Sequence, residues 1–302
     1  MSARAWSLFA AISIIWGIPY LLIKIAVDGG VPPVTLAWAR MVLGGGLLLT
    51  LAARSGVLEQ LRGHWRALVA YAFAELVIPF PLIAVGERHI ASSLAAIVVA
   101  TVPLVLALLA WRFDHGQRVS RRRLVGLLVG FAGVALLVGV DASGDLTTLL
   151  SVGAVFIAAV GYAIGAMVIN RFLADIDARA SMGACLLIAA VVLTPLAVLD
   201  WPSHTPTTGA LASTLALALV CSAAAFVLIV ALIAEIGAAR AVVITYINPV
   251  VALILGIAFL GEHPGLGAFI GLALILAGSK IATARPTATT TNGHPVVDQA
   301  MA

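Results

Sequence analysis

The feature that most constrains this chain is a series of long apolar segments, each of which predicts a helix that crosses a membrane. A transmembrane helix needs about 20 mostly apolar residues to cross ~30 Å of hydrocarbon, and such windows recur from Trp6 to Ala282. The sequence therefore predicts an all-α membrane protein with ten transmembrane helices. These are Trp6–Ala26, Pro33–Ala53, Trp65–Val85, Ala91–Trp111, Leu124–Val140, Leu149–Asn170, Ala178–Leu199, Ala210–Ala234, Ala238–Leu260 and Leu266–Ala282.

Composition argues against a soluble or nucleic-acid-binding protein. Hydrophobic residues make up 63% of the chain and charged residues 10%, whereas soluble domains have about 45–50% and about 25%. The sequence pI of about 9.5 does not indicate a nucleic-acid partner, because the basic residues lie between apolar segments rather than on a solvated face with aromatics. The expected partners are the lipid bilayer and a small-molecule substrate, and the oligomeric state is left open.

The distribution of basic residues predicts how the chain is oriented. Basic loops remain in the cytoplasm, and with the amino terminus inside, Arg88 is the one basic loop residue placed outside. Both termini are then cytoplasmic, and residues 284–302, which lack apolar periodicity, form a predicted disordered cytoplasmic tail. The apolar run that starts at Trp6 is too long for a signal peptide and is interpreted as an uncleaved helix. We expect a multi-pass protein of the cell (inner) membrane.

The two halves of the sequence resemble each other. A shift of about 146 residues places Phe80 on Phe226 and Pro103 on Pro249, and Tyr162 falls at the repeat position of Trp16. The predicted units are residues 1–140 and 141–283, with five helices each. Because five is odd, the second unit enters the membrane from the opposite side, which predicts two inverted repeats of the kind found in alternating-access carriers.

Several positions resemble motifs of the EamA-type family of the drug/metabolite transporter superfamily. They are Trp16-Gly17, Lys24, Arg40, the turn from Arg88 to Ser93, Pro103, and Asn248 to Ala252 with the ending Leu260-Gly261-Glu262. The resemblance covers Trp6 to Ala282 and implies the ten-helix fold and the transport of metabolites. One departure is Trp111 to His115, where the family has a second Gly-Glu ending.

Charged residues inside the predicted spans are the first candidates for a functional site. Burying a charge in hydrocarbon costs at least ~2.5–3.5 kcal/mol unless it is paired or hydrated. Glu75 lies near the middle of the third helix and Arg40 in the outer half of the second. Two hypotheses follow: the residues pair with each other, or Glu75 titrates in a proton-coupled cycle. Lys24, near the outer end of the first helix, either reaches the headgroups or contacts substrate.

Prolines and aromatics inside the spans supply the remaining candidates. Pro103 and Pro249 remove backbone hydrogen bonds at matching depths, so they predict kinks at a cavity, with a packed kink as the alternative. Trp16, Tyr20 and Tyr162 lie too deep for the interfacial aromatic belt. The predicted substrate-binding residues are Trp16, Tyr20, Glu75, Tyr162, Tyr246 and Asn248, with core packing as the alternative for the aromatics and for Asn248.

The function that these patterns favour is secondary transport. The chain lacks a Gly-Lys-Ser/Thr phosphate loop, so an ion or substrate gradient is the expected energy source, with proton coupling as one option. Export of amino acids or related metabolites by alternating access is the leading interpretation. A membrane-embedded enzyme is disfavoured because the six histidines are scattered and form no catalytic or metal-binding set, and no cofactor is predicted. A membrane scaffold or sensor is the other alternative, although the sequence predicts no soluble output domain.

Overall fold

The computed structural model describes residues 2–113, 121–141, 145–237, 241 and 243–283. Within these ranges the chain is helical, with no β-strand among the described residues. The predicted tail at 284–302 and the start of the predicted ninth helix, at 238–240, lie outside the described ranges.

The described residues form ten longer helical segments, labelled α1 to α10 in chain order, and a short 3-10 helix at Leu58–Leu61 between α2 and α3. They are α1 (Ala3–Asp28), α2 (Pro33–Arg54), α3 (Trp65–Gly86), α4 (Ser92–Arg112), α5 (Arg121–Asp141), α6 (Leu146–Leu173), α7 (Ala178–Leu199), α8 (Thr208–Ile236), α9 (Ile244–Leu260) and α10 (Leu266–Thr283). Of these, eight are long and apolar enough to cross a membrane; α9 is apolar but shorter, and α5 begins with three arginines. Most predicted boundaries lie within one to three residues of the observed ones.

Four of the long helices are interrupted near their middle; the break in α4 lies at Ala100 and Thr101. In α1 the helix ends at Gly17 and restarts at Pro19, because proline has no N–H to continue the ladder. In α3 and α8, π-turns at Phe73–Val77 and Leu219–Ala224 replace the regular turn. The shift of about 146 residues that aligns the two halves also superposes these two π-turns, so the duplication extends to this local irregularity.

Helix pairing follows the same duplication. The contacts of α5 with α10, α2 with α7, and α4 with α9 each join a helix to its repeat equivalent. The contact between α3 and α6 has its equivalent in the contact between α8 and α1. For these pairs, exchanging the two halves maps one contact onto another. The opposite membrane orientation of the halves and the position of the termini remain predictions.

Close helix contact depends on small residues. A Cβ atom on Gly278 of α10 would lie 2.6 Å from the carbonyl oxygen of Gly126 on α5. On α6, a Cβ on Gly161 would lie 2.9 Å from the ring of Pro79 in α3. Glycine at these positions lets the backbones approach closely, as is common between membrane helices.

Candidate functional site

The candidate site lies between the π-turns of α3 and α8, with α2 packed against both helices. The π-turn of α3 carries Glu75, and the π-turn of α8 carries Ser222. A π-turn widens the helix and often occurs at functional sites, because it leaves backbone groups and side chains displaced from the regular ladder. The two turns thus place polar side chains at the middle of an otherwise apolar bundle.

Arg40 of α2 connects the two sides of this site. Its Nε donates a hydrogen bond to Oγ of Ser222 at 2.7 Å. Its guanidinium carbon lies 4.2 Å above the ring centre of Phe80 in α3, which is within cation–π range. Arg40 is only half-buried, and its remaining N–H groups have no partner in the described part of the protein.

Glu75 faces α6 from within its π-turn. Its carboxylate lies against Gly165, where an added Cβ would overlap Oε2 of Glu75. The side chain is half-buried and, among the described residues, forms neither a hydrogen bond nor an ion pair. The predicted pair between Arg40 and Glu75 is therefore not formed in this conformation, since Arg40 is engaged by Ser222 and Phe80.

The predicted aromatic residues lie around the same space. Tyr162 of α6 is within electrostatic range of both Glu75 and Arg40, and Tyr20 of α1 is within range of Tyr162 and Arg40. Both tyrosines are half-buried against the main apolar core. We call the following residues the central cluster: Tyr20, Arg40, Glu75, Phe80, Tyr162 and Ser222. Trp16 lies beside it, with its ring edge-on to Phe226 at a centroid distance of 6.4 Å.

Two other predicted substrate ligands are used elsewhere. The hydroxyl of Tyr246 is 3.2 Å from that of Thr283 at the end of α10, away from the central cluster. The amide of Asn248, in the orientation that satisfies both of its atoms, donates to the carbonyl oxygens of Ser13 and Ile244. Asn248 thus joins α9 to α1, which agrees with the packing alternative for this residue.

The two predicted kink prolines differ in their surroundings. Pro103 follows a break in α4 at Ala100 and Thr101, between the helical stretches Ser92–Val99 and Val102–Phe113. Pro249 lies buried inside the continuous helix α9. Pro103 therefore lies just after a break in its helix, whereas Pro249 lies within the regular part of α9.

The outer end of the bundle, in the predicted orientation, is closed by polar contacts. Lys24 donates to the backbone oxygen of Glu87 at 2.7 Å and pairs with Asp28 at 3.4 Å. This contact uses the Lys24 ammonium to join α1 to the loop after α3. Lys24 therefore neither pairs with Glu75 nor lies in the central cluster.

Glu262, which follows α9, crosses to the first half of the chain. Its carboxylate accepts hydrogen bonds from the backbone N–H groups of Ser92 and Ser93, at 2.6 and 3.1 Å. It therefore caps the amino terminus of α4, where negative charge is favoured. The Gly-Glu ending thus has a structural function in the second half.

Three important residues were not among the predicted site residues. Ser222 and Phe80 lie in apolar segments and have no distinguishing sequence pattern, although Phe80 was used to align the halves. Glu87 reads as an ordinary loop residue next to Arg88 but is fully buried. Among the described residues, no group of three His, Cys, Asp or Glu side chains could hold a metal ion.

Comparison with known proteins identifies the family. The model of the EamA-like transporter family matches this chain twice, at residues 4–139 and 149–283. The uncharacterized inner membrane transporter YedA of Escherichia coli (strain K12) is 30% identical over 264 residues, which cover 83% of this chain and 81% of YedA. A probable terminal-alkyne amino-acid exporter of Streptantibioticus cattleyicolor is 27% identical, with 92% of each chain covered.

Other relatives agree with this assignment. The uncharacterized transporter YvbV of Bacillus subtilis (strain 168) is 23% identical, with 90% of this chain and 89% of YvbV covered. One solved crystal structure superposes with a TM-score of 0.67 over 94% of this chain and 98% of its own, at 22% identity. That likeness establishes a shared fold.

Proposed function

This chain belongs to the EamA-like transporter family, and on that premise we propose that it exports small zwitterionic metabolites, such as amino acids, by alternating access. It is a multi-pass inner-membrane protein, and its relatives are named transporters. The substrate, the direction of transport and the mechanism are the parts that we propose.

We infer the substrate class from two opposite charges in the central cluster that do not pair with each other. Arg40 and Glu75 are both half-buried and do not neutralise each other. An unpaired charge inside a membrane protein is costly, so its retention indicates a ligand or a proton. An amino acid satisfies both groups at once, because its carboxylate suits the Arg40 guanidinium and its ammonium suits Glu75.

The surrounding side chains complete such a site. Phe80 and Ser222 hold the Arg40 guanidinium in one orientation, which lowers the entropy cost of binding a carboxylate. Tyr162 lies within electrostatic range of both charged groups and offers a hydroxyl and an apolar ring face. Tyr20, Trp16 and Phe226 extend the aromatic surface for the side chain of the substrate.

The fold supports alternating access. The outer ends of the two halves are tied by Glu262 to Ser92 and by the backbone N–H of Thr207 to the carbonyl of Gly29. These contacts connect residues of opposite halves, so a movement of one half relative to the other would break them. Breaking them at one end of the bundle opens the central cluster to that side.

Counterflow in liposomes tests the proposal. The purified protein is reconstituted with unlabelled amino acid inside, and uptake of labelled amino acid is compared with that of the corresponding amine and carboxylic acid. We expect Arg40→Gln to reduce amino-acid counterflow about tenfold or more, the effect of losing ~1.5–3 kcal/mol of charged hydrogen bonding. Transport of the amine, which lacks the carboxylate, should change much less.

Arg54→Gln is the matched control, because Arg54 is exposed at the end of the same helix. It should leave counterflow unchanged. Equal losses for amino acid and amine in the Arg40 variant would contradict carboxylate recognition. If a broad set of amino acids and other metabolites shows no counterflow with the native protein, the export proposal fails.

Proton binding by Glu75 is a second candidate role, favoured by the absence of any partner for its carboxylate in the described residues. Transport driven by a pH gradient in native protein, and lost in Glu75→Gln while counterflow is retained, would assign coupling to this residue. If Glu75→Gln leaves the transport rate and its pH dependence unchanged, both roles of Glu75 are excluded.

A further inference from the structure

Glu87 is a buried acid outside the central cluster that the transport proposal does not use. It follows the last residue of α3 and has no solvent exposure. Neither carboxylate oxygen has a hydrogen-bond partner. A fully buried carboxylate without donors is strongly disfavoured as an anion, because no group replaces its lost hydration.

The groups facing Glu87 come from every helix around it. Tyr20, Lys24 and Asp28 of α1, Tyr162 of α6 and Glu262 after α9 all lie within its electrostatic range. Lys24 favours the anion, but its short contact is to the backbone oxygen of Glu87 and it also pairs with Asp28. Burial raises the pKa of Glu87 well above its usual range, and Glu262 and Asp28 raise it further.

Glu87 lies at the outer end of the bundle, near the contact between Glu262 and Ser92 that ties the two halves together. We call this region the outer gate. Its neighbour Gly86 lies against α6, where an added Cβ would be 2.6 Å from Val155. On the other side, Ser92 is held by Glu262, and the Ser92 hydroxyl is also buried without a partner. The side chain therefore lies where α1, the start of α4 and α6 come together above the central cluster.

We propose that the Glu87 carboxyl is a proton-binding site of the outer gate, which holds its proton while the outer end is closed and releases it to the outer medium on opening. The proposal rests on the alternating-access function for the meaning of opening. On release, the O–H bond of the carboxyl breaks, the proton passes to outer water, and the hydrated carboxylate pairs with the ammonium of Lys24. No other reactant is needed.

The sign of the pH effect follows from linkage. The closed state binds the proton more tightly than the open state, so low outer pH favours closure. As pH rises above the ordinary carboxyl pKa of about 4.3, the ratio of open to closed protein increases by up to tenfold per pH unit. The increase ends when pH passes the raised pKa of the closed state. An acidic exterior should therefore keep the outer end shut.

Accessibility of an introduced thiol measures opening without any substrate. Ser92→Cys is a suitable probe, because Ser92 is fully buried and its hydroxyl makes no hydrogen bond that would be lost. Full-length protein in right-side-out vesicles is labelled with a membrane-impermeant maleimide between pH 5.5 and 8.5. The native cysteines Cys185 and Cys221 are buried, and protein without the probe gives the background.

Glu87→Gln, made in protein that also carries Ser92→Cys, mimics the protonated acid. Both proteins then have the same probe thiol, so its own pH dependence cancels in the comparison. We expect the labelling rate of Glu87 protein relative to Glu87→Gln protein to rise about tenfold or more between pH 5.5 and pH 8.5. Glu87→Met, also neutral, replaces it if the glutamine variant does not fold. A ratio that stays constant with pH would overturn the proposal.

Histidines near the gate provide the matched control. His89 and His263 line a cavity of about 320 Å³ beside Glu262, so each is substituted in a separate variant. In protein that carries His263→Gln, His89→Gln or both, the ratio of labelling rates between Glu87 and Glu87→Gln should still rise with pH. If the rise disappears, the pH response belongs to histidine and the proposal is overturned. Labelling needs no substrate. If the labelling ratio rises with pH but the transport assay fails, only the proposed transport function is contradicted.

Discussion

Single residues decide how the charges of the central cluster are placed. Glu75 can lie against α6 only because position 165 is glycine. Ala is favoured over Gly inside a helix by about 1 kcal/mol, so Gly165→Ala should not weaken α6 itself. The new methyl group must instead displace the flexible carboxylate of Glu75.

We therefore expect Gly165→Ala to lower the initial rate of amino-acid counterflow about tenfold, comparable with losing one charged contact of ~1.5 kcal/mol. The melting temperature should stay within a few degrees of the native value. Gly153→Ala on the same helix is the control, because nothing lies within 4 Å of its added Cβ. Equal transport by both variants would show that the position of Glu75 does not matter.

The ion pair between Asp177 and Arg179 at the start of α7 predicts a stability that depends on pH. Arg179 donates to Asp177 through Nε at 3.0 Å and Nη2 at 2.8 Å, and these hydrogen bonds lower the pKa of Asp177. Because the pKa of Asp177 is lowered on folding, its charge stabilises the folded state at pH values above the ordinary aspartate pKa of about 3.9. This stabilisation is lost as pH falls through the lowered pKa.

Asp177→Asn should lower stability at pH 7 by only ~0.5–1 kcal/mol, because the pair is partly exposed and screened. The difference in melting temperature from the native protein should shrink as pH falls below about 3.9. Glu59→Gln, which removes a highly exposed pair with Arg62, should have no effect at either pH. A difference that is the same at both pH values would indicate lost packing instead of lost charge.

At the level of helices, interrupted and regular helices lie in different parts of the bundle. The π-turns in α3 and α8 flank the central cluster, whereas α5 and α10 are regular and meet through glycines. A side chain on Gly278 would meet backbone atoms of Gly126 and Gly130, which cannot rotate away. The pair of helices would then have to separate.

Gly278→Ala should therefore destabilise the protein by about 1–3 kcal/mol, the usual cost of overpacking, despite the better helix propensity of alanine. A fluorescence-based melting curve in detergent measures this as a lowered midpoint. Gly139→Ala on α5 is the control, since its added Cβ has nothing within 4 Å, and its midpoint should not fall. If both variants have the same melting midpoint, the contact at Gly278 does not determine the spacing between α5 and α10.

At the level of the whole molecule, the prediction concerns the sides of the membrane. Arg88 follows α3 and Arg62 precedes it, and both side chains are exposed. If the amino terminus is inside, Arg88→Cys should react with an impermeant thiol reagent in intact cells, and Arg62→Cys only after permeabilisation. The reverse pattern would invert the topology, and equal labelling of both from outside would contradict the span between them.

The apolar segments, their lengths and the duplication of the chain can be read from the amino-acid sequence alone. These follow from composition along single helices, because transfer into lipid depends on each segment separately. The same reasoning identified Glu75, Arg40, Trp16, Tyr20 and Tyr162 as residues of interest, since a polar or amphipathic residue deep in an apolar segment is conspicuous without any structure. Family membership is consistent with these patterns.

Which side chains meet is visible only once the helices are packed together. Arg40 contacts Ser222 and Phe80 instead of Glu75, and Asn248 joins α9 to α1, because partners depend on how helices rotate and pack against each other. Glu87 looks like a solvated loop residue until α1, α4 and α6 close around it. Burial of a polar group is a property of several segments at once, and for that reason no single segment of the sequence predicts it.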